Sequence, residues 1–271
     1  MPQTRGLRAL AISALGLLLA MTPAWADPLK VGGTGAVTQL LKDLGPAFQA
    51  ETGIALDVVV GLGTSGANKA AGDGKLGLAI SGRPLRDTEK AKGLKIVAAF
   101  RTPFGLVTSR EGPDGFKRSE VADLYRADRP LWPDGTPVLI TLRPVDESDN
   151  TTLGDLFPGV ADAMLQLRKR TDLSIAPTDQ DNADIAEKLK GSLNSASLTQ
   201  IVSEKRNLRF VAIDGVAATM ENYENGSYPY AKSLYVVVPA VPSPEAEAFV
   251  AFLAKPAARA MLRSAGVIAN Q

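Results

Sequence analysis

Residues 61–66 read GLGTSG and follow the apolar run 54–60, which is the glycine spacing of a dinucleotide-binding turn. The helix after this motif is too short for that fold, because the glycines of residues 72–74 interrupt it. The acid that would bind the ribose is also missing, since residues 81–83, SGR, follow the next strand. A phosphate-binding P-loop fails as well, because residues 67–68 replace its lysine and hydroxyl group. We therefore expect neither a dinucleotide-binding turn nor a P-loop here.

A serine hydrolase is the main enzymatic alternative for the same stretch. Residues 63–67, GTSGA, nearly match the nucleophile elbow G-x-S-x-G, and Ser65 and Lys69 are one helical turn apart. A Ser–Lys pair would place a nucleophile beside a base. The competing interpretation is that Lys69 is a solvated residue on the helix surface.

Three loops in the first part of the chain offer hydrogen-bond donors to a small anion, at residues 32–36, 61–66 and 81–84. Each loop follows a predicted strand, at Leu29–Val31, Ile54–Val60 and Leu76–Ile80, and an amphipathic helix is predicted from Val37 to Glu51, ending at Gly53. This βαβαβ order predicts an α/β fold with a mainly parallel sheet. Because ligands bind at the carboxyl ends of such strands, beside helix N-termini, we expect the three loops to converge on one site.

The rest of the chain continues the α/β pattern from about Ser109. The predicted helices and strands are a helix at Ser119–Tyr125, a strand at Val138–Leu142 ending at Arg143, a long helix at Thr152–Arg170, a short strand at Leu173–Pro177, a helix capped by Asp181 and running to Lys190, strands at Leu208–Ile213 and Leu234–Val238, and closing helices at Pro244–Leu253 and Ala257–Ala265.

Composition excludes several classes of function. The chain has no Cys and no His, so disulfides, Cys/His zinc sites and a Ser-His-Asp triad are impossible. We expect no cofactor and no metal. The chain has 30 basic and 29 acidic residues, a near-neutral balance that offers no general electrostatic attraction for nucleic acid, so we expect no nucleic-acid partner.

The first 26 residues have the features of a secretory signal peptide. Arg5 and Arg8 precede an apolar stretch from Ala9 to about Met21, and residues 24–26 form an A-x-A cleavage site. The apolar stretch is shorter than the ~20 residues that span a bilayer. We expect cleavage after Ala26 and a periplasmic mature protein.

The sequence resembles the phosphate-type periplasmic solute-binding proteins of bacterial ABC importers over nearly all of the mature chain. The resemblance is carried by FQAETGIALDVVVGLGTSGANKAAGDGKLGLAISGRPL, by SEVADLYRADRPLWPDGTPVLITLR and by FVAIDGVAATMENYENGSYPYAKSLYVVVPAVPSPEAEAFVAFL. It implies the type II periplasmic-binding-protein fold, in which two α/β lobes are joined by two crossing strands. Lobe 1 would comprise residues 27–107 and 229–271, and lobe 2 residues 108–228, with crossing segments at 105–110 and 233–238.

The resemblance also implies a function and a set of ligand-binding residues. The protein would capture a small oxyanion, above all phosphate, and deliver it as a monomer to an ABC transporter permease. Another tetrahedral oxyanion, or a role in sensing or adhesion, is the alternative. The implied ligand-binding residues are Thr34, Gly35, Ala36, Thr64, Ser65, Gly66, Ser81, Gly82, Arg143 and Ser148. No catalytic residue is implied.

Three positions depart from the phosphate-binding pattern. Ala36 stands where the family usually has Thr, and Gly82 where phosphate binders have an Asp that accepts the ligand's proton. Near Ser148, residues 147–151 replace a Ser-Gly-Thr sequence, so that Asp146, Glu147 and Asp149 are candidates for the missing acceptor, or else solvated acids. Arg143 either binds the anion through charge-assisted hydrogen bonds or pairs at the surface with Asp146 or Glu147. Arg83 either adds positive charge to the cleft or faces water.

Overall fold

The computed structural model describes residues 27–112 and 115–269. The predicted signal peptide, residues 1–26, lies outside the described residues. Within the described ranges, no helix combines the length and apolar character needed to cross a membrane.

Strands and helices alternate along the described chain. The strands are Leu29–Gly33 (β1), Leu56–Val59 (β2), Leu78–Ser81 (β3), Lys95–Thr108 (β4), Gly115–Phe116 (β5), Leu139–Leu142 (β6), Ser174–Ile175 (β7), Ser192–Ser197 (β8), Arg209–Phe210 (β9), Ala212–Ile213 (β10), Ala231–Val238 (β11) and Ile268–Ala269 (β12). The α-helices are Thr38–Thr52 (α1), Gly63–Gly72 (α2), Asp87–Ala91 (α3), Val121–Arg126 (α4), Ser148–Leu156 (α5), Val160–Leu167 (α6), Asp179–Lys188 (α7), Leu198–Ser203 (α8), Met220–Glu224 (α9), Pro244–Leu253 (α10) and Pro256–Ser264 (α11). Short 3₁₀ turns at Gly35–Val37 and Arg118–Glu120 precede α1 and α4.

The first unit of the fold consists of β1, β2, β3, α1, α2, α10 and α11. Strand β1 lies between β2 and β3 and is parallel to both, which confirms the βαβαβ prediction. Helix α1 buries Leu40, Leu41, Leu44 and Phe48, the apolar positions that recur at helical spacing. It ends at Gly53, whose φ of 76° and N–H bond to Gln49 form the predicted C-cap.

The second unit consists of β6, β7, β8, α4, α5, α6 and α7. Strand β6 is parallel to both β7 and β8. The core of this unit includes Trp132, Phe157 and Leu193, whereas the core of the first unit includes Phe48 and Phe249. The two units therefore have separate main hydrophobic cores.

Two long antiparallel strands connect the two cores. Along β4, residues 95–103 pair with β11 and residues 104–107 pair with β8. Phe100 of β4 lies in the first core and Phe104 in the second. The lobe boundaries given by the resemblance stay predictions, and these strands are where the chain passes between the cores.

Two sequence predictions about the second unit are wrong. The long helix predicted at 152–170 is two helices, α5 and α6, because Pro158 lacks an amide hydrogen and Gly159 adopts a φ of 82°. Helix α7 is capped by Thr178, whose side chain accepts the N–H of Asp181, and not by Asp181 itself. The carboxylate of Asp181 instead accepts a hydrogen bond from the backbone N–H of Thr178, so that the two residues form a capping box.

Replacement of Gly33 by alanine tests the close approach of β1 and β3. A Cβ at Gly33 would lie 2.5 Å from the carbonyl oxygen of Ile80, so the strands must move apart. We expect Gly33→Ala to destabilise the protein by about 1–3 kcal/mol. The melting temperature, measured by circular dichroism, should fall by roughly 2–4 °C per kcal/mol.

Gly66→Ala is the matched control, because a Cβ at Gly66 would lie 3.5 Å from Leu62 in ordinary contact. Inside helix α2 this change should be neutral or stabilising by up to about 1 kcal/mol. Equal melting temperatures for the two variants would contradict the packing described for Gly33.

Candidate functional site

The loop after β1 presents donors to a carboxylate of the second unit. The N–H of Thr34 bonds to the carbonyl of Ile80 at 2.9 Å, which holds the loop to β3. The hydroxyl of Thr34 donates to Asp179 at 3.4 Å, and the N–H of Ala36 donates to the same carboxylate. A Cβ at Gly35 would lie 2.5 Å from Asp179 Oδ2, so only glycine allows this approach.

The loops after β2 and β3 are joined at the contact between the units. The N–H of Gly82 donates to Thr64 Oγ1 at 3.0 Å, and the Thr64 hydroxyl reaches Ser148 Oγ at 3.4 Å. A Cβ at Gly82 would lie 2.6 Å from Ser148 Oγ and 2.8 Å from Lys232 Cε. This packing therefore requires glycine at position 82, because a larger residue would clash with Ser148 and Lys232.

Ser65 and Ser81 use their hydroxyl groups inside the first unit. Ser81 donates to the carbonyl of Arg83 at 2.6 Å and accepts from Asn68 at 3.2 Å. Ser65 accepts from Arg83 Nη2 at 3.2 Å. Their predicted contact with a ligand remains a prediction, and in this structure both hydroxyls contribute to the loop geometry instead.

Arg83 does not behave in either of the ways considered from the sequence. Its guanidinium is buried and forms a bidentate pair with Glu89, at 2.9 and 2.8 Å. Burial raises the pKa of Glu89, but hydrogen bonds from Arg83, the Arg86 backbone and Asn68 outweigh it and lower the pKa to about 2. Arg83 therefore stabilises the loop after β3, and its charge is balanced there.

The Ser65–Lys69 pair of a hydrolase is not formed. Lys69 has a 72% exposed side chain and pairs with Asp73 on the helix surface. Together with the bond from Arg83 to Ser65, this arrangement leaves the Ser65 hydroxyl without a base at Lys69.

Arg143 is a buried residue at the end of β6, with only 3% of its surface exposed. It donates to the carbonyl of Ala176 at 2.7 Å and to Asp179 at 2.8 Å, and lies 3.6 Å from Glu147. The surface location considered from the sequence is wrong, because Arg143 is buried. Of the two acids considered, Glu147 does lie within ion-pair distance, but the main partner is the buried Asp179. Asp146 is exposed, as expected of a solvated acid. The Nε atom of Arg143 has no hydrogen-bond partner among the described residues.

Two charged residues of the site were missed in the sequence analysis, Asp179 and Lys232. Lys232 lies on β11, is 1% exposed, and pairs with Asp149 of the second unit. The strand pattern contained a signal for it: Lys232 shares the inward face with Leu234 and Val236. Asp179 is the first residue of α7, directly after the Thr178 cap, a position at which helices favour acids.

Five charged side chains thus meet between the units, two cations and three carboxylates. The cations are Arg143 and Lys232, and the carboxylates are Glu147, Asp149 and Asp179. Burial raises the pKa of Asp179 and of Glu147, with the Asp149 charge adding to both increases. Asp179 and Glu147 are consequently protonated more readily than exposed carboxyl groups.

Most of the predicted site residues lie at this contact. They are Thr34, Gly35, Ala36, Thr64, Gly82, Arg143 and Ser148. Gly66 lies one turn into α2, facing Leu62. A cleft of about 960 Å³ opens beside the contact, lined by the start of α1, the loop before α2, the start of α7 and the end of α8. Among the described residues, no group of three or more acids has the geometry of a metal site.

The comparisons with known proteins identify the family. Residues 21–257 match the PBP superfamily domain, and the chain belongs to that family. A search of curated proteins found no significant match. The recognised family and the two-lobed α/β fold are thus confirmed.

Solved structures similar to this chain share its fold at low sequence identity. A putative phosphate ABC transporter substrate-binding protein with bound phosphate from Clostridium perfringens has a TM-score of 0.77 and 17% identity, covering 91% of this chain and 100% of its own. An ABC-type phosphate transport receptor from Vibrio cholerae has a TM-score of 0.62 and 14% identity, covering 89% and 99%. The periplasmic molybdate-binding protein of Azotobacter vinelandii has a TM-score of 0.59 and 15% identity, covering 90% and 100%.

Glu147→Gln tests the charge balance of the site. Because the folded protein raises the pKa of Glu147 above its ordinary value of 4.5, this group contributes most stability below that pH, and the contribution is lost as the pH rises through the folded pKa. Glutamine does not ionise, so the variant does not lose this stability as the pH rises. We expect the variant to melt a few degrees above the wild type at pH 7, with a difference that shrinks towards pH 4.

The neighbouring Asp146→Asn is the control, because Asp146 is exposed and should leave the melting temperature within about 1–2 °C of the wild type. A Glu147→Gln protein that melts below the wild type at pH 7 would show that the carboxylate is stabilising and would refute this charge balance.

Proposed function

We propose that the chain is a periplasmic solute-binding protein that captures a small oxyanion and delivers it to an ABC importer. The observation that carries the proposal is the position of the Asp179 carboxylate. The carboxylate of Asp179 is itself an oxyanion, and it is held by the hydroxyl of Thr34, the N–H of Ala36 and the guanidinium of Arg143. Donors from both units thus already bind one carboxylate, and the same donor types bind phosphate and its analogues.

Phosphate is the proposed ligand among the small oxyanions. Two of the similar structures are described as phosphate-transport proteins, and one of these holds phosphate. The carboxylates at the contact also favour an anion that carries a proton, because hydrogen phosphate donates to a carboxylate, whereas a fully ionised anion is repelled. Glu147 is the candidate for the acceptor, since Asp146 is exposed and Asp149 is already paired with Lys232. The molybdate-binding neighbour makes another tetrahedral oxyanion the alternative.

The transport role completes the proposal. The protein acts outside the cytoplasm as a monomer, without a cofactor, and its partner is the permease of an ABC transporter in the inner membrane. The ligand is bound at the contact between lobe 1, residues 27–107 and 229–271, and lobe 2, residues 108–228. Anion binding shifts the population towards the closed arrangement of the lobes that the permease recognises. The role is binding and not catalysis, in keeping with the pairing of Ser65 with Arg83 and of Lys69 with Asp73.

Arg143→Ala tests the proposed site. With inorganic phosphate at 100 times its dissociation constant, the wild type gains about 2.7 kcal/mol. Its melting temperature should therefore rise by roughly 5–11 °C. Arg143→Ala should weaken binding by at least about tenfold, as expected for the loss of a buried charge-assisted hydrogen bond. Titration calorimetry with phosphate, arsenate, sulfate and molybdate measures the affinities, and circular dichroism measures the melting temperatures.

Arg259→Ala is the matched control, because Arg259 is exposed on α11, and it should bind as the wild type does. If Arg143→Ala kept the wild-type affinity, the proposed site would be wrong. Binding of sulfate or molybdate in preference to phosphate would replace the proposed ligand by the alternative.

A further inference from the structure

Lys232 is buried to an extent that is rare for lysine. Only 1% of its surface is exposed, and it is among the largest fully buried side chains of the described residues. Lysine is almost never fully buried without a partner, because the desolvation of an isolated ammonium is very costly. Its partner is Asp149, the second residue of α5 in the second unit.

The ammonium lies among the donors of the proposed site. Its Nζ is 3.5 Å from Thr34 Oγ1 and 5.8 Å from the ring of Phe104. Its Cε atom is 2.8 Å from the position of a Cβ at Gly82, where Thr64 and Ser148 also meet. The loops after β1 and β3 and the start of α5 therefore surround one cation.

We infer that Lys232 is a second cationic ligand-binding residue and that a bound oxyanion replaces Asp149 as the partner of its ammonium. The inference rests on the proposed function and adds to it a residue that selects ligands by their negative charge. An anion held by both Arg143 and Lys232 meets two positive charges, one from each side of the contact. The exchange avoids an unpaired buried charge, because the ammonium has one anionic partner before and after it.

The geometry allows Asp149 to leave. Lys232 lies on β11 beside Thr102 of β4, whereas Asp149 belongs to the second unit. Separation of the units breaks the pair and exposes both groups to water. The carboxylate of Asp149 stays near the N-terminus of α5, where the helix dipole favours a negative charge.

A different account makes the Lys232–Asp149 pair a structural clamp with no contact to ligand. The two accounts give opposite results for Asp149→Asn. If Asp149 competes with the ligand, its neutralisation frees the ammonium and tightens anion binding. If the pair only holds the units together, neutralisation destabilises the protein and leaves the affinity unchanged or weaker.

The experiment measures affinity and melting temperature for Lys232→Met, Asp149→Asn and the double variant. Titration calorimetry of the purified protein uses inorganic phosphate, sulfate and molybdate, and circular dichroism follows unfolding. We expect Lys232→Met to weaken binding of the best probe by at least about tenfold. We expect Asp149→Asn to strengthen binding, and this gain to be smaller in the Lys232→Met background.

Lys255→Met is the matched control, because Lys255 forms an exposed pair with Glu51 at 2.5 Å and should leave affinity unchanged. Wild-type affinity in Lys232→Met, or unchanged or weaker binding in Asp149→Asn, would overturn the inference. If Lys232→Met does not fold, the sign of the Asp149→Asn effect decides the question.

The proposed function fails separately from this inference. A folded wild-type protein that binds none of the three anions would overturn both. An anion that binds the wild type, loses affinity in Arg143→Ala and binds Lys232→Met normally would overturn the role of Lys232 alone.

Discussion

The buried charges at the contact between the two units are the constraint on which the rest of the structure depends. Arg143 and Lys232 are almost fully shielded from water, and each has a carboxylate partner close by. Removing one partner of such a pair typically costs about 3–5 kcal/mol, because the other charge stays buried. It therefore costs less free energy to give each buried cation a new anionic partner than to leave it without one. A site with this property favours an anionic ligand that takes over the role of a carboxylate.

Close backbone approach makes the charge arrangement possible. Gly35 admits the Asp179 carboxylate, and Gly82 admits Ser148 and Lys232, at distances that a Cβ would block. The loops that carry these glycines are held by bonds inside the first unit, such as Thr34 N–H to Ile80 and the Arg83–Glu89 pair. The first unit thus presents preorganised donors, while the second unit supplies Arg143 and the acids.

Much of this arrangement was predictable from the sequence, because local patterns specify it. Apolar periodicity and turn glycines predicted β1, α1 and the loop before α2, and the loops after parallel strands converge as the topology requires. The partners of the charged groups were not predictable in the same way. Lys232 and Asp149 are 83 residues apart, and nothing local to Asp149 indicates a lysine on a returning strand. The break between α5 and α6 was missed because the apolar spacing continues on both sides of Gly159.

The most direct test of the central claim is a crystal structure of the protein grown with the oxyanion that binds it most tightly in calorimetry. The account predicts electron density for the anion between the two units, within hydrogen-bond distance of the Ala36 N–H and the Arg143 guanidinium, with the Asp179 carboxylate moved away from Ala36. An anion bound elsewhere, with the Asp179 contacts to Ala36 and Arg143 intact, would contradict the account.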